Sequence, residues 1–355
     1  MAQRVESIGL SQPELVEFVA GLGEPAYRGR QIFAALQHRR LRNFDEITDL
    51  PKELRARLKE VANAATLEVE SRYVSSDGTR RYLMKTHDGL PVETVFIPEE
   101  HRDTICFSSQ SGCPLQCTFC LTAQLGLLRS LTPGEIVEQI LIALNDAYGA
   151  SATPPRGTNL VGMGAGEPFL NFDSLLKALR VMSDPSGLYI VPKILELAKV
   201  SDRPHLAISL AAPTDELRNE LMPINKRWPL EELLEACKVF EKTLKPGEFF
   251  TFEYVMLAGV NDSDEQARQL ANLLNRHGLK AKVNLIPHNP AEPLPYRPSS
   301  EETVARFKKI LESKGIHAYV RRPRGRDIFA ACGQLAARQE TLNTCTEITS
   351  AGVSN

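Results

Sequence analysis

The stretch Ser111-Gly112-Cys113-Pro114-Leu115-Gln116-Cys117-Thr118-Phe119-Cys120 sets three cysteines in a C-x3-C-x2-C triplet. Thiolates this close together can wrap one metal centre, and iron–sulfur clusters and zinc are the usual occupants. A structural zinc takes four protein ligands, usually in two pairs, and no second C-x-x-C or H-x3-H follows downstream. Three ligands suit a 4Fe–4S cluster with one iron left open to an exogenous ligand. That arrangement makes the loop a reaction centre. From the triplet alone, zinc and unligated structural thiols stay open as rival readings.

Outward from the loop, the pattern decides the fold class. Thr104 to Ser108 reads as a strand leading into the triplet. After it, Thr132-Pro133-Gly134-Glu135 is a capping box that opens an apolar helix running to Leu144. Strands are then expected at Asn159 to Met163, His205 to Leu210, Phe249 to Leu257, Lys282 to Pro287 and His317 to Val320. Helices are expected between them at Ser174 to Met182, Pro229 to Leu244, Asp264 to Arg276 and Glu301 to Ser313. Such alternation means βα units and a parallel sheet closed or partly closed into a barrel. In barrels of this class the chemistry sits at the C-terminal strand ends. The cysteine loop and Gly164-Ala165-Gly166-Glu167-Pro168 both follow strands, which predicts that they face one rim. The glycines lack the lysine and spacing of a phosphate-binding loop.

Upstream, residues 12 to 63 carry helical periodicity in Leu15, Val16 and Val19, in Ile32, Phe33 and Leu36, and in Leu54, Leu58 and Val61. From about residue 66 the period falls to two. Three strands are expected there, with hairpin-type turns at Asp77-Gly78 and Asp88-Gly89.

Bulk properties fit a cytoplasmic enzyme. The chain has 355 residues, 43% of them hydrophobic and 24% charged, enough for a main domain and a smaller one. No apolar run reaches the roughly 18 residues of a spanning helix, and the first ten residues do not read as a signal peptide. Seven unevenly spaced cysteines argue against a secreted disulfide framework. The net charge of −2 carries no global nucleic-acid signal. Two basic patches are local exceptions: His38-Arg39-Arg40-Leu41-Arg42 and Arg321-Arg322-Pro323-Arg324-Gly325-Arg326. For the first patch alone, a solvated helix end is the plainer reading.

The triplet, with an aromatic before its last cysteine and Gly166-Glu167-Pro168 after the next strand, resembles the radical S-adenosylmethionine (SAM) superfamily. Further segments resemble its RlmN/Cfr family. These are Tyr27-Arg28-Gly29-Arg30-Gln31-Ile32-Phe33, Val92-Glu93-Thr94-Val95, Met222-Pro223-Ile224-Asn225-Lys226, Asn284 to Pro290 and Ala330-Ala331-Cys332-Gly333-Gln334-Leu335. The likeness covers residues 12 to 340, most like the RlmN branch. It implies a partial (βα)6-type radical SAM barrel with an N-terminal helical accessory domain and a β-meander extension. The expected divisions are 1–65 (RNA-handling helices), 66–103 (meander), 104–335 (barrel) and 336–355 (flexible tail).

The resemblance also implies a chemistry. Cys113, Cys117 and Cys120 would hold a 4Fe–4S cluster whose open iron binds S-adenosylmethionine. Glu167, with Gly166, would accept hydrogen bonds from its ammonium group, and Ser209 and Asn289 would hold the ribose and carboxylate side. Phe119 would pack on the adenine or plug the barrel mouth. Cys332 would carry a methyl group that is activated and added to C2 of adenosine. Glu93 would remove the C2 proton as general base, and Cys106 would attack the Cys332 sulfur, forming a disulfide and releasing product. Without the resemblance, Cys106 on an apolar strand reads as a structural thiol. Cys237, inside an apolar helix, reads as core, and Cys345 has no assignable role.

Implied partners are 23S ribosomal RNA, transfer RNA and a reducing electron donor of the flavodoxin or ferredoxin type. A monomer with no membrane attachment is expected. Arg28, Arg30 and Arg39 to Arg42 would handle RNA, with the arginines of 321–326 near Cys332. The chain departs from the family's pattern in three places. It is about a dozen residues short between Met182 and Ile194, where the family has a βα unit. Alanine follows Ser209-Leu210 where the family has histidine, and Leu160 to Ala165 is smaller at two positions. The short segment favours an alternative, a non-catalytic relative that binds RNA. The full cysteine set favours the enzyme.

Overall fold

A computed structural model describes residues 4–183 and 205–336. Beyond Ser183, the shortened segment expected between Met182 and Ile194 lies outside the described residues, as do Cys345 and the tail after Ala336. The chain divides into two compact units, one built from residues 4–111 and 128–183, the other from 112–127 and 205–336.

The first unit begins with β1 (Val5–Glu6), α1 (Gln12–Gly21), α2 (Ala26–Gln37), α3 (Lys52–Val61) and β2 (Ala62–Asn63). Its main sheet follows: β3 (Leu67–Val74), β4 (Arg80–Thr86), β5 (Pro91–Ile97) and β6 (Arg102–Cys106). A two-stranded pair, β7 (Gln110–Gly112) with β8 (Leu127–Ser130), leads on to α4 (Pro133–Tyr148), β9 (Gly157–Val161) and α5 (Phe172–Ser183). Local chemistry sets the boundaries. Ser11 and Thr132 form capping boxes with Glu14 and Glu135, satisfying amides that a helix start leaves open. Gly78 and Gly89 turn the meander with φ of 83° and 81°, a region that side chains disfavour.

β3, β4, β5 and β6 run antiparallel in order, and β9 adds parallel to β6. This is the meander joined to the first βα unit. One face of the sheet, with Tyr82, Met84, Phe96 and Ile105, shares a core with Leu15, Ile32, Phe33, Leu54 and Leu58 of the N-terminal helices. Ile136, Ile140 and Leu144 of α4 fill the same core. Burying each such side chain contributes about 1.5–3 kcal/mol. Gly9 permits the close approach, since a Cβ there would stand 2.5 Å from the Gly134 nitrogen. The parallel β1–β2 pair was not expected; two residues per strand are too few to show a period of two.

The first basic patch is largely consumed by this packing, which corrects its reading as a phosphate contact. Arg40 is 5% exposed and donates to Asn145 Oδ1, Gly149 O and Ala152 O around the end of α4. Arg42 pairs with the buried Glu138 at 2.8 Å and donates to Leu67 O. Arg39, bonded to Asp49, and Arg30 stay at the surface.

The second unit holds β10 (Ala207–Ser209), α6 (Asp215–Leu221), α7 (Leu230–Glu241), β11 (Thr251–Met256), α8 (Asp264–Arg276), β12 (Lys282–Pro287), α9 (Glu301–Ser313) and β13 (Ala318–Val320). Its four strands pair in parallel in chain order, as the alternation predicts. α8, β12 and α9 match the expected limits, whereas β10, α7, β11 and the start of β13 fall a residue or more inside them. Helix α6 was not expected, because its seven residues carry mostly charge.

Replacing Arg40 by Ala should leave the Gly149 and Ala152 carbonyls without their donor. We expect destabilisation by about 2–4 kcal/mol, read by denaturant unfolding, against less than about 0.5 kcal/mol for Arg30→Ala.

Candidate active site

The second unit brings together most of the expected site. The cysteine loop is fixed through its backbone: Cys113 N–H donates to Gly126 O at 2.9 Å and Cys120 N–H to Cys117 O at 3.1 Å. Thr118 N–H donates to Leu221 O at 3.0 Å, and its hydroxyl lies 2.7 Å from that of Tyr296. Just past the loop, Leu121 N–H donates to Gly333 O at 2.8 Å, and Thr122 Oγ1 donates to Leu335 O at 2.6 Å. Cys332 is thereby held beside the segment that follows Cys120. Gly333 has φ 81°, and a Cβ on it would stand 3.4 Å from Phe119 O.

Asn289 braces this contact. Its Nδ2 donates to Cys332 O at 3.1 Å, and its Oδ1 accepts from Arg326 Nε at 2.7 Å. The side chain expected to meet a cofactor is here engaged with the cysteine's own backbone. Phe119 and Cys117 are half-buried against Ala211, Ala212, Leu221, Met222 and Leu257. Ser209 ends β10 with its side chain exposed.

Glu93, Cys106, Gly166 and Glu167 belong to the first unit. In the β5–β6 register Val95 stands opposite Cys106, so Glu93, two residues earlier, is a diagonal neighbour of Cys106 on the same face. Diagonal pairs of this kind stand roughly 7–8 Å apart. That face points away from the helical core and also carries Arg81, whose Nη1 lies 3.4 Å from Glu93 Oε1. Arg81 in turn stacks on Tyr73 at 4.5 Å. The Ser108 hydroxyl donates to Glu93 O at 2.6 Å, and Gln139 of α4 holds both backbone groups of Ser108.

The glycine run lies flush on this strand exit. A Cβ on Gly164 would meet Phe107 O at 2.7 Å, and one on Gly166, whose φ is 101°, would meet Gln110 Cβ at 2.6 Å. Gln110 Oε1 accepts from Glu167 N–H at 2.9 Å, and Glu167 Oε1 accepts from Phe169 N–H at 2.9 Å. Burial pushes the Glu167 carboxyl above its usual range, partly opposed by the Phe169 amide.

Electrostatics distinguish the thiols. No disulfide joins the six described cysteines. Burial raises Cys237, core of α7, to about 12, which makes it inert. Cys332 is also raised. Crowding of its sulfur is the largest cause, Arg321 opposes it, and Glu253 and Cys120 add to it. The residue itself is exposed.

Sequence reasoning missed Arg218. It is 4% exposed and donates to Ser209 O, Leu210 O and Asn225 Oδ1 at 3.0, 3.0 and 2.6 Å. Burial lowers its pKa, and the nearby Cys117 and Asp215 raise it. A buried cation beside a cluster-loop cysteine suits an anionic thiolate centre. Three soft donors in one braced loop fit a cluster with one open iron.

Comparison with known proteins agrees with this geometry. Residues 5–64 match the model of the ribosomal RNA large subunit methyltransferase N-terminal domain, and 107–271 that of the radical SAM superfamily. A probable dual-specificity RNA methyltransferase RlmN of Koribacter versatilis is 46% identical over 340 residues, 88% of this chain and 96% of that protein. The dual-specificity RNA methyltransferase RlmN of a Marinomonas species is 43% identical over 350 residues, 94% and 93% of the two chains. The crystal structure of a radical SAM methyltransferase from Sphaerobacter thermophilus superposes with a TM-score of 0.89 at 41% identity, covering 94% of this chain and all of that one.

Gly166→Ala should drive a methyl group into Gln110 on a strained backbone. We expect a loss of about 1–4 kcal/mol in unfolding free energy, whereas Gly126→Ala, with nothing within 4 Å of the new methyl, should lose only the cost of its positive φ.

Proposed function

The chain belongs to the RlmN family of dual-specificity RNA methyltransferases in the radical SAM superfamily, and from that membership we propose that it methylates C2 of adenosine in 23S ribosomal RNA and in transfer RNA, using two S-adenosylmethionine molecules per methyl group. The observation that carries this reading is the backbone bond from Leu121 to Gly333, which keeps Cys332 beside the cysteine triplet. A thiol in that place has a use in a reaction that needs both a cluster and a methyl carrier.

A 4Fe–4S cluster on Cys113, Cys117 and Cys120 would supply, when bound, the electron that cleaves S-adenosylmethionine reductively. Gly166 and Glu167 would receive the methionine amino group, with Ser209 and Asn289 toward its ribose and carboxylate, and Phe119 at the adenine. The Cys332 thiol would take the first methyl group as a thioether. After that methyl gives a hydrogen atom to a 5′-deoxyadenosyl radical, its carbon would bond to C2 of the target adenine, and the radical adduct would give back the one electron that the cleavage consumed. Glu93 would accept the C2 proton. The Cys106 thiolate would then attack the Cys332 sulfur and close a disulfide, the released methylene would take up a proton to become the methyl group, and the external reductant would reopen the disulfide.

The N-terminal helices would hold RNA through Arg28, Arg30 and Arg39, and Arg321, Arg322 and Arg324 would meet phosphates near Cys332. A cytoplasmic monomer served by a flavodoxin- or ferredoxin-type donor completes the proposal. No helix among the described residues is long and apolar enough to cross a membrane. The alternative of a non-catalytic relative is not favoured, since the five family cysteines stand in a chain that spans over nine-tenths of the RlmN relatives cited above.

Anaerobic reconstitution should load about four irons per chain, and reduction should yield 5′-deoxyadenosine; zinc in place of iron, or a cluster without that product, contradicts the reading. Cys106→Ala should accumulate RNA covalently bound through Cys332, visible on a denaturing gel. A second test uses pH. Glu167 offers the amino group its charge and its full acceptor capacity only when ionised, and its pKa is raised. As the pH is lowered, S-adenosylmethionine affinity should therefore begin to fall while the pH is still above the ordinary carboxylate range. Glu167→Gln should bind more weakly and lose that dependence.

A further inference from the structure

Glu253 lies on β11, in register with Ser209 of β10 on one side and Asn284 of β12 on the other. Partners in a sheet share a face, so these three side chains form one row. The opposite face carries Phe252, Tyr254, Val283 and Leu285, all fully buried under the helices. On the row's own face the neighbours are half-buried or exposed, yet Glu253 is only 6% exposed. One of its oxygens is fixed: Oε1 accepts from Thr251 Oγ1 at 2.8 Å and from Asn284 Nδ2 at 2.7 Å. The other, Oε2, is buried and has no hydrogen-bond partner among the described residues.

Such an atom needs a reason. A buried carboxylate oxygen without a donor costs on the order of 1–3 kcal/mol or more, and native proteins keep few of them. Here two donors on Oε1 hold the group rigid, which leaves Oε2 as an acceptor of fixed direction on the face that Ser209 shares. Under the proposed function Ser209 lies toward the ribose of S-adenosylmethionine. A ribose offers two adjacent hydroxyl donors, and a carboxylate facing them is a general way to hold a nucleoside sugar. We propose that Glu253 Oε2 accepts a hydrogen bond from a ribose hydroxyl of S-adenosylmethionine and so fixes the nucleoside in the second unit. The inference rests on the functional reading above and adds a binding residue to it.

The test is a comparison of ligands by calorimetry on anaerobically reconstituted protein, with no turnover needed. The probes are S-adenosylmethionine and its 2′,3′-dideoxyribose analogue. A hydrogen bond to a charged group corresponds to about a 10–100-fold preference of the wild type for the natural ligand. Glu253→Gln should bind S-adenosylmethionine about tenfold or more weakly and show at least about tenfold less preference between the two. Glu253→Asp, which keeps the charge but withdraws it by one methylene, should lose the preference in the same way and guards against a fold defect in the first variant. Equal affinity of the wild type for both ligands overturns the proposal without any variant. So does equal weakening of both ligands by the substitutions, the result expected if the carboxylate serves the Cys332 thiol or the target base. Failure of the wild type to bind S-adenosylmethionine at all would instead overturn the functional reading itself.

Discussion

The site of the second unit depends on one junction, the pair of hydrogen bonds that join Leu121 and Thr122 to Gly333 and Leu335. They link positions more than two hundred residues apart in sequence. Closure entropy grows only with the logarithm of loop length, and the parallel strands β10 to β13 carry the chain back step by step. Once the junction is closed, several local choices follow from it. Position 333 is glycine because its φ is 81° and Phe119 O lies against the missing side chain. Asn289 and Gln334 turn inward to satisfy Cys332 O and Pro290 O. Arg326 then completes Asn289.

Buried charge does a different job in the first unit. Glu138 and Glu135 of α4 are fully buried and meet Arg42 and Arg129. Buried ion pairs gain little stability after desolvation, so their value lies elsewhere. Glu138 accepts from Thr66 N–H, Thr66 Oγ1 and Leu67 N–H, where the chain leaves the helices to start the sheet. Glu135 caps its own helix through Thr132 N–H. Each carboxylate supplies acceptors to backbone that no ladder satisfies, and its arginine offsets the charge. The helices thereby share one rigid core with the sheet whose other face bears Glu93 and Cys106.

The sequence was most legible where period and punctuation agreed. The meander announced itself through alternation broken by Asp77-Gly78 and Asp88-Gly89, and α8, β12 and α9 fall at the expected limits because caps and apolar spacing coincide. The cysteine triplet was legible because ligand spacing is local. Arg40 and Arg42 were not: a basic run looks the same whether its guanidiniums face water or carbonyls brought in from a hundred residues away. Arg218 hid in a seven-residue helix of charged residues. Glu253 hid in an alternating strand, where one acid on the polar face is unremarked until cross-strand register supplies Ser209 and Asn284.

That same row of side chains bears on how Cys332 could serve as a methyl carrier. A thiolate is both the better nucleophile and the form that opens unwanted disulfide exchange. Burial, Glu253 and Cys120 all disfavour the thiolate of Cys332, and Arg321 and a backbone hydrogen bond work the other way. The surroundings of Cys332 on balance disfavour ionisation of its thiol. A sulfonium brought to this face would act in the same direction as Arg321, since a nearby positive charge favours the ionised sulfur. Glu253, engaged by a ribose hydroxyl, would at the same time present a weaker negative field to the thiol. Both effects would lower the cost of ionising the thiol.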